Sequence, residues 1–260
     1  MLNDIDRTKK YALAVSGGAD SMVMLHCFAS LLPRPDFFVV TINHGIRQEA
    51  AADCAFVQEY CKKLNVECRV FCVDAPAYSK ENKISLETAA RILRYKVLDE
   101  QQCDLVCLAH HSGDNAETIL MHLIRGSGAE GACGIRKLSG KYFRPLLSVT
   151  KRQIEDYAKA NDVPFVQDST NDDVTYRRNY VRHVILPELK KIVPAVEQNL
   201  ERFAQNVAAD NELLNSLADD KDVTIDGKTA KIPCELLNQP APLAYRILKK
   251  TFARLGIFYD

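Results

Sequence analysis

The chain has no C-x-x-C pair, no apolar run approaching the ~18 residues of a membrane span, and no net charge. Each gap removes a class of protein. Nine cysteines, an odd number, lie mostly inside apolar runs (Cys27, Cys61, Cys72, Cys107); this fits buried thiols of a reducing compartment and not a disulfide framework. The nearest pairs, Cys68/Cys72 and Cys103/Cys107, fall in or beside strand-like runs, which argues against a zinc or iron–sulfur site. The first residues carry neither a basic leader nor a long apolar core, so the expectation is a cytoplasmic protein with no membrane partner. With 34 basic and 34 acidic residues in 260, no global field attracts nucleic acid, and any such surface has to be local.

Local bias is present. Residues 121–152 hold seven basic side chains (Arg125, Arg136, Lys137, Lys141, Arg144, Lys151, Arg152) against the single acid Glu130, and residues 240–254 add Arg246, Lys249, Lys250 and Arg254 with no acid. Each stretch is either a solvated face or a track for phosphates. A chain that is 47% hydrophobic and 26% charged can build one sizeable core and a small second domain.

Apolar, β-rich runs at 11–15, 37–42, 66–73 and 105–109 alternate with amphipathic segments near 20–32, 49–64 and 84–101. This alternation predicts an α/β fold, a parallel sheet with helices on both faces. Ala116, Ile119, Leu120, Leu123 and Ile124 form the apolar stripe of a further helix that ends at Arg125-Gly126-Ser127-Gly128. Residues 142–147 read as extended. Thr150 with Gln153 forms a capping box opening a helix to about 161, and 168–173 is a polar loop before a helix carrying Arg177, Arg178 and Arg182. Past Pro187 the pattern changes to a long helix over 195–219, a hairpin about Asp226-Gly227 and a helix over 240–256, with a domain boundary near 188–193.

A second absence sits in the most informative segment. The run 11–15 passes straight into Ser16-Gly17-Gly18-Ala19-Asp20-Ser21 and then a helix. This arrangement aims backbone N–H groups and a helix N-terminus at one point and favours phosphate, yet no lysine follows the glycines as in G-x-x-x-x-G-K-[ST]. Ser16 and Ser21 can donate to phosphate oxygens, and Asp20 can cap the helix or help hold a phosphate-bound cation.

In an open parallel sheet the loops beyond the strand C-termini converge on one site. After the second run comes Asn43-His44-Gly45, where His44 can pair with a base or a phosphate, or merely cap its loop. After the fourth come His110 and His111, which cannot face the same way; His111 is the preferred site residue. Asp114 and Glu117 share one face of the first helical turn, where they can bind a metal or a cationic substrate, or complement the helix dipole. Glu87, Arg91 and Arg94 fall at i, i+4, i+7, which makes either a surface ion-pair ladder or an anion-binding stripe.

Together these motifs resemble the PP-loop ATP pyrophosphatases and, among them, the tRNA(Ile)-lysidine synthetases. The resemblance is carried by Ser-Gly-Gly-Ala-Asp-Ser, Asn43-His44-Gly45-Ile46-Arg47, Glu87-Thr88-Ala89-Ala90-Arg91 with Arg94-Tyr95, and His110-His111 with Asp114 and Glu117. Arg125-Gly126-Ser127-Gly128, Arg144-Pro145-Leu146-Leu147 and Asp168-Ser169-Thr170-Asn171 followed by Arg177, Arg178, Asn179 and Arg182 complete it, over about 11–187. One departure stands out: where that family often has two acids after His-His-x, this chain has Gly113 and Asp114.

The resemblance implies a Rossmann-like catalytic domain over 1–190 and a smaller, mainly helical tRNA-contacting domain over 191–260, with room for a further domain beyond. It implies ATP and Mg²⁺ as cofactors, and as partners tRNA(Ile) with a CAU anticodon and free L-lysine. ATP adenylylates the carbon-2 oxygen of the wobble cytidine and releases diphosphate, and the lysine ε-amine then displaces AMP. Ser16, Gly17, Gly18, Asp20, Ser21 and His44 would bind the nucleotide; Asp20, Arg94, Asp114 and Glu117 would serve catalysis, the two acids by receiving the lysine ammonium or taking a proton from it as it attacks. Arg91, His111, Arg125, Arg177, Arg178 and Arg182 would meet lysine or tRNA. The rival of the same fold, a tRNA thiolase, needs a sulfur-carrying cysteine or cluster; a small-molecule ligase leaves the basic stretches unexplained. A non-catalytic adenine-nucleotide-binding module is the alternative from another class.

Overall fold

A computed structural model describes residues 4–47, 49–167 and 177–257. Four strands, β1 (Lys10–Ala14), β2 (Asp36–Asn43), β3 (Cys68–Cys72) and β4 (Leu105–Cys107), pair in parallel in the order β3-β2-β1-β4. The sheet continues through β5 (Leu138–Ser139) and β6 (Tyr142–Phe143): β6 lies parallel to β4, and β5 closes the edge antiparallel to it. The extended reading of 142–147 is thus partly strand. The strand expected over 66–73 is shorter, because the Val66 N–H turns back to Cys61 O at 2.9 Å and closes the preceding helix.

Strand alternation divides the core. Tyr11, Leu13, Val15, Phe37 and Val39 face α1 (Ala19–Ala29), α2 (Ala50–Lys63) and, further along the chain, the helix Lys151–Ala160; Ala12, Phe38, Val40 and Val106 face the other way. There they meet Val97 and Leu98 of α4 (Leu86–Asp99), which follows the short α3 (Ala75–Asn82). In α1, Met22, Val23, Met24, Leu25 and Phe28 are completely buried, each worth about 1.5–3 kcal/mol on leaving water. This wedges the start of α1 under the end of β1.

The helix α5 (Ser112–Ile124) follows β4, and α6 (Ala129–Ala132) precedes β5. The helix α7 (Lys151–Ala160) opens with the expected box: Thr150 Oγ1 accepts from the Gln153 N–H at 3.3 Å, and Gln153 Oε1 accepts from the Thr150 N–H at 2.9 Å. From Arg177 the chain runs as α8 (Arg177–Tyr180), a π-helical turn Val181–Ile185, and α9 (Leu186–Ile192). Val181 and Leu186 pack on Ala116 of α5. The long α10 (Val196–Leu217) extends that packing through Val196 and Leu200. The hairpin β7 (Thr224–Asp226) and β8 (Thr229–Lys231), the short α11 (Cys234–Leu237) and α12 (Ala241–Arg254) close a small core of Ala218, Val223 and Ile247. Among the described residues, no helix is long and apolar enough to cross a membrane.

Candidate active site

Because β2 and β4 lie on opposite sides of β1, the loops after β1 and β4 part, and a crevice opens at the C-terminal edge of the sheet. On one side is the glycine turn. Gly17 has φ +90°, a conformation in which a side chain would be strained, and its carbonyl accepts from the Val166 N–H at 2.9 Å. Gly18 is the N-cap of α1 and provides no side chain to satisfy the first-turn N–H groups, so these remain directed at an incoming anion. Ser21 turns out to be a brace: its hydroxyl donates to Gly18 O at 2.9 Å and accepts from the Ser16 N–H at 3.2 Å. Ser16 is exposed at the mouth. Asp20 meets Lys151 Nζ at 2.6 Å.

Across the crevice the structure gathers basic side chains. His44 Nδ1, Arg94 Nε, His110 Nδ1 and Arg144 Nε are all buried and lack a hydrogen-bond partner, a rare condition for polar atoms in a folded interior. The Arg144 guanidinium is anchored by donating to Arg136 O at 2.8 Å. Burial, with Arg94 nearby, pushes the His44 imidazole below its ordinary value. Burial holds His110 at about 4 against the pull of Asp114, with Arg144, Arg178 and Arg94 acting in the same direction as burial. Burial and neighbouring arginine charge likewise lower Arg94 and Arg144, while Tyr95 partly offsets this at both. Such a basic cup is relieved by an anion that brings charge and acceptors together.

The acid pair is not open. Arg178 Nε donates to Glu117 Oε2 at 2.8 Å, and Arg182 Nε donates to Glu117 Oε1 at 2.5 Å. The Nη2 groups of Arg178 and Arg182 both reach Asp114 Oδ1, at 3.3 and 3.1 Å. The His111 N–H takes Asp114 Oδ2 at 3.0 Å. Every oxygen of the two carboxylates therefore has a donor. Burial raises the Asp114 carboxyl, but His111, its N–H and Arg178 outweigh that and hold it below the usual range. Two guanidinium groups thus occupy the pair expected to receive an ammonium, and they fasten Arg178 and Arg182 to α5.

His111 also has a different place from the one expected. It is the buried N-cap of α5, its Nδ1 accepting from the Gly113 N–H at 3.0 Å, whereas His110 faces the arginines. Gly113 makes this possible, since a Cβ there would lie 2.8 Å from His111 Cε1. The missing acid and the histidine cap are thus one local solution.

Glu87 and Arg91 are exposed on α4 and form no ion pair with each other among the described residues, so the ladder reading fails. Arg91 instead lies 5.0 Å over the Tyr95 ring. Arg125 and Arg177 are exposed and border a cavity of about 410 Å³ floored by Met121, Ile124, Tyr180 and Ile185. In the basic stretch 121–152, Lys141 donates to Asp99 O at 2.6 Å, Lys137 pairs with Asp4 and Lys151 with Asp20, while Arg125, Arg136 and Arg152 are exposed. The basic run in α12 is spent as well. Arg246 donates to Asn211 at 2.6 Å, Lys250 to Ala218 O at 2.6 Å, and Arg254 pairs with Asp220 at 3.2 Å. These contacts tie α12 to α10 and to the loop that follows it. The motif 168–171 lies outside the described residues. Among residues brought to the crevice, His110, Arg144 and Lys151 were not singled out as site residues in the sequence; the arginine's place in the Arg-Pro-Leu-Leu motif was the available signal.

A three-layer fold with an uncapped glycine turn at its switch point and a basic cup beside it defines a doubly wound α/β protein of the phosphate-cradling class. The PP-loop domain matches residues 1–189, and the chain belongs to that family. It is 43% identical over 211 residues to the tRNA(Ile)-lysidine synthase of Thermosipho africanus, a match covering 79% of this chain and 49% of that protein. It is 36% identical over 225 residues to the same-named protein of Treponema denticola, covering 80% and 48%. It is also 36% identical over 253 residues to the bifunctional protein TilS/HprT of Listeria monocytogenes, covering 92% and 39%. The chain thus spans half or less of the length of these relatives. In fold it is similar to the U34-tRNA thiolase NcsA of Methanococcus maripaludis, with a TM-score of 0.66 at 18% identity over 78% of this chain and 73% of that one.

Proposed function

We propose that the chain carries the ATP-dependent chemistry of a cytoplasmic tRNA(Ile)-lysidine synthase: adenylylation of the wobble cytidine of a CAU-anticodon tRNA, then attack by the ε-amine of free L-lysine with loss of AMP. The observation that carries this reading is the glycine turn facing four buried, unpartnered basic atoms across the switch point, in a chain 43% identical to a protein of that name.

In this reading the α1 N-terminus and the Gly17-Gly18 backbone hold the β- and γ-phosphates, which leave together as diphosphate. No lysine within the loop is needed to move a γ-phosphoryl group. The cup, Arg94 and Arg144 with His44 and His110, receives the α-phosphate or the lysine carboxylate; both are anions that suit a guanidinium fork. His110, neutral at pH 7, can donate or accept a hydrogen bond there without adding charge. Asp114 and Glu117 act as positioning residues that set Arg178 and Arg182. The donor chemistry fits magnesium held mainly by phosphate, with Asp20 as the cradle's carboxylate. When bound, that ion neutralises the charge that develops on the departing diphosphate. Arg125 and Arg177 are the exposed cations available to tRNA phosphates, and the helical part beyond about 190 is the tRNA-contacting unit.

Incubation with ATP, Mg²⁺ and a CAU-anticodon tRNA, with and without lysine, tests the proposal. AMP release that requires both tRNA and lysine is the expected result. Release indifferent to lysine, or none, overturns it.

A further inference from the structure

The cradle has no lysine of its own, yet the structure brings one to it. Lys151 is the first residue of α7, and the chain is fastened on both sides of that helix. At its start, the Thr150–Gln153 box sets the first turn, and Val149 O accepts from the Ser112 N–H at 2.9 Å, tying the start of α7 to that of α5. Past its end, the Val166 N–H holds Gly17 O at 2.9 Å. Between them Ile154 and Ala158 are buried in the core shared with α1, and Tyr157 meets His26 of α1 at 3.0 Å. The Lys151 backbone therefore has a fixed place beside the glycine turn, while its side chain, 44% exposed, is free to swing. It now rests on Asp20 Oδ1 at 2.6 Å.

We propose that Lys151 is the phosphate-contacting lysine of this site, supplied from α7 and parked on Asp20 until a polyphosphate enters. The proposal rests on the nucleotide reading above. An ion pair this exposed is weakly held, so a phosphate carrying more charge and more acceptor oxygens can take the ammonium from the carboxylate. The exchange moves no proton and breaks no covalent bond. It releases Asp20 at the moment the phosphates arrive, and so couples the two residues to one event. Because the phosphates bound at the glycine turn are the pair that leaves, Lys151 acts on diphosphate and not on the adenosine end.

Titration calorimetry with Mg-ATP, diphosphate and AMP, on the unsubstituted chain and on K151M, K151R and D20N, tests this. K151M is expected to weaken ATP and diphosphate about tenfold while AMP stays within twofold, and K151R to recover most of the loss. Without metal, D20N should bind diphosphate more tightly than the unsubstituted chain, since the competing carboxylate is gone, and that gain should vanish in D20N/K151M. A merely structural Lys151 moves none of these. Unchanged diphosphate and ATP affinity in K151M, with the unsubstituted chain binding both, overturns the role of Lys151 alone. Failure of the unsubstituted chain to bind ATP overturns the nucleotide reading, and the lysine's role with it.

Discussion

Replacing Glu117 by alanine removes a carboxylate that is 2% exposed and that accepts from Arg178 once and from Arg182 twice. Breaking a fully buried pair by removing one partner costs about 3–5 kcal/mol. Here the two arginine side chains are 40% and 32% exposed and keep part of their hydration, and Asp114 Oδ1 still accepts from both. The expected loss is therefore at the lower end, about 3 kcal/mol. For a chain of this size that corresponds to a fall in Tm of roughly 6–12 °C by scanning calorimetry at pH 7. The double variant E117M/R182M should lose less than the sum of its single variants, because it removes charge from both sides of the pair. A fall of under about 2 °C for Glu117→Ala would refute the claim that the acid pair is a structural clamp and would return it to the role of an open cation site.

Three further outcomes follow from the same geometry. Arg94→Met should leave Tm unchanged or slightly raised, since it removes a buried cation whose Nε has no hydrogen-bond partner, while lysine-dependent AMP release falls at least 100-fold; a loss of several degrees would show that the rest of the guanidinium is firmly held. Stability should fall with acidification between pH 6.5 and about 4, because the unfolded chain takes up a proton that buried His110 refuses, with a slope of up to ~1.4 kcal/mol per pH unit; His110→Asn should flatten it, and an unchanged chemical-denaturation profile would contradict the burial. Arg125→Ala and Arg177→Ala should each weaken tRNA binding and lower the log–log salt slope by about one, whereas Arg246→Ala should lower Tm and leave that slope alone; filter binding over a salt series separates the two sets.

Much of the frame was legible because periodicity reports burial directly. The four parallel strands, α1, α2, α4 and α5 and the Thr150 cap all fell where apolar spacing and capping chemistry put them. The short elements escaped. α3 has Ala75 as its one buried residue, so no stripe marks it, although Asp74 caps it and Pro76 opens it. β5 and β6 are two residues each and become strands only because β4 offers β6 an edge.

The site divides in the same way. Glycine order and strand-to-helix succession determine the cradle locally, since a backbone anion turn needs nothing from a distance. By itself the sequence therefore determined the class of fold, the glycine turn and which loops would converge. It could not determine what each charged side chain would meet, because Coulomb energies depend on partners brought from 60 or more residues away and on the water left around them. Only the tertiary structure decided that Asp114 and Glu117 are met by arginines, that the lysines and arginines of α12 find partners on neighbouring segments, and that His110 and not His111 faces the cup. It also decided that Lys151, from the start of α7, rests on Asp20 beside the glycine turn.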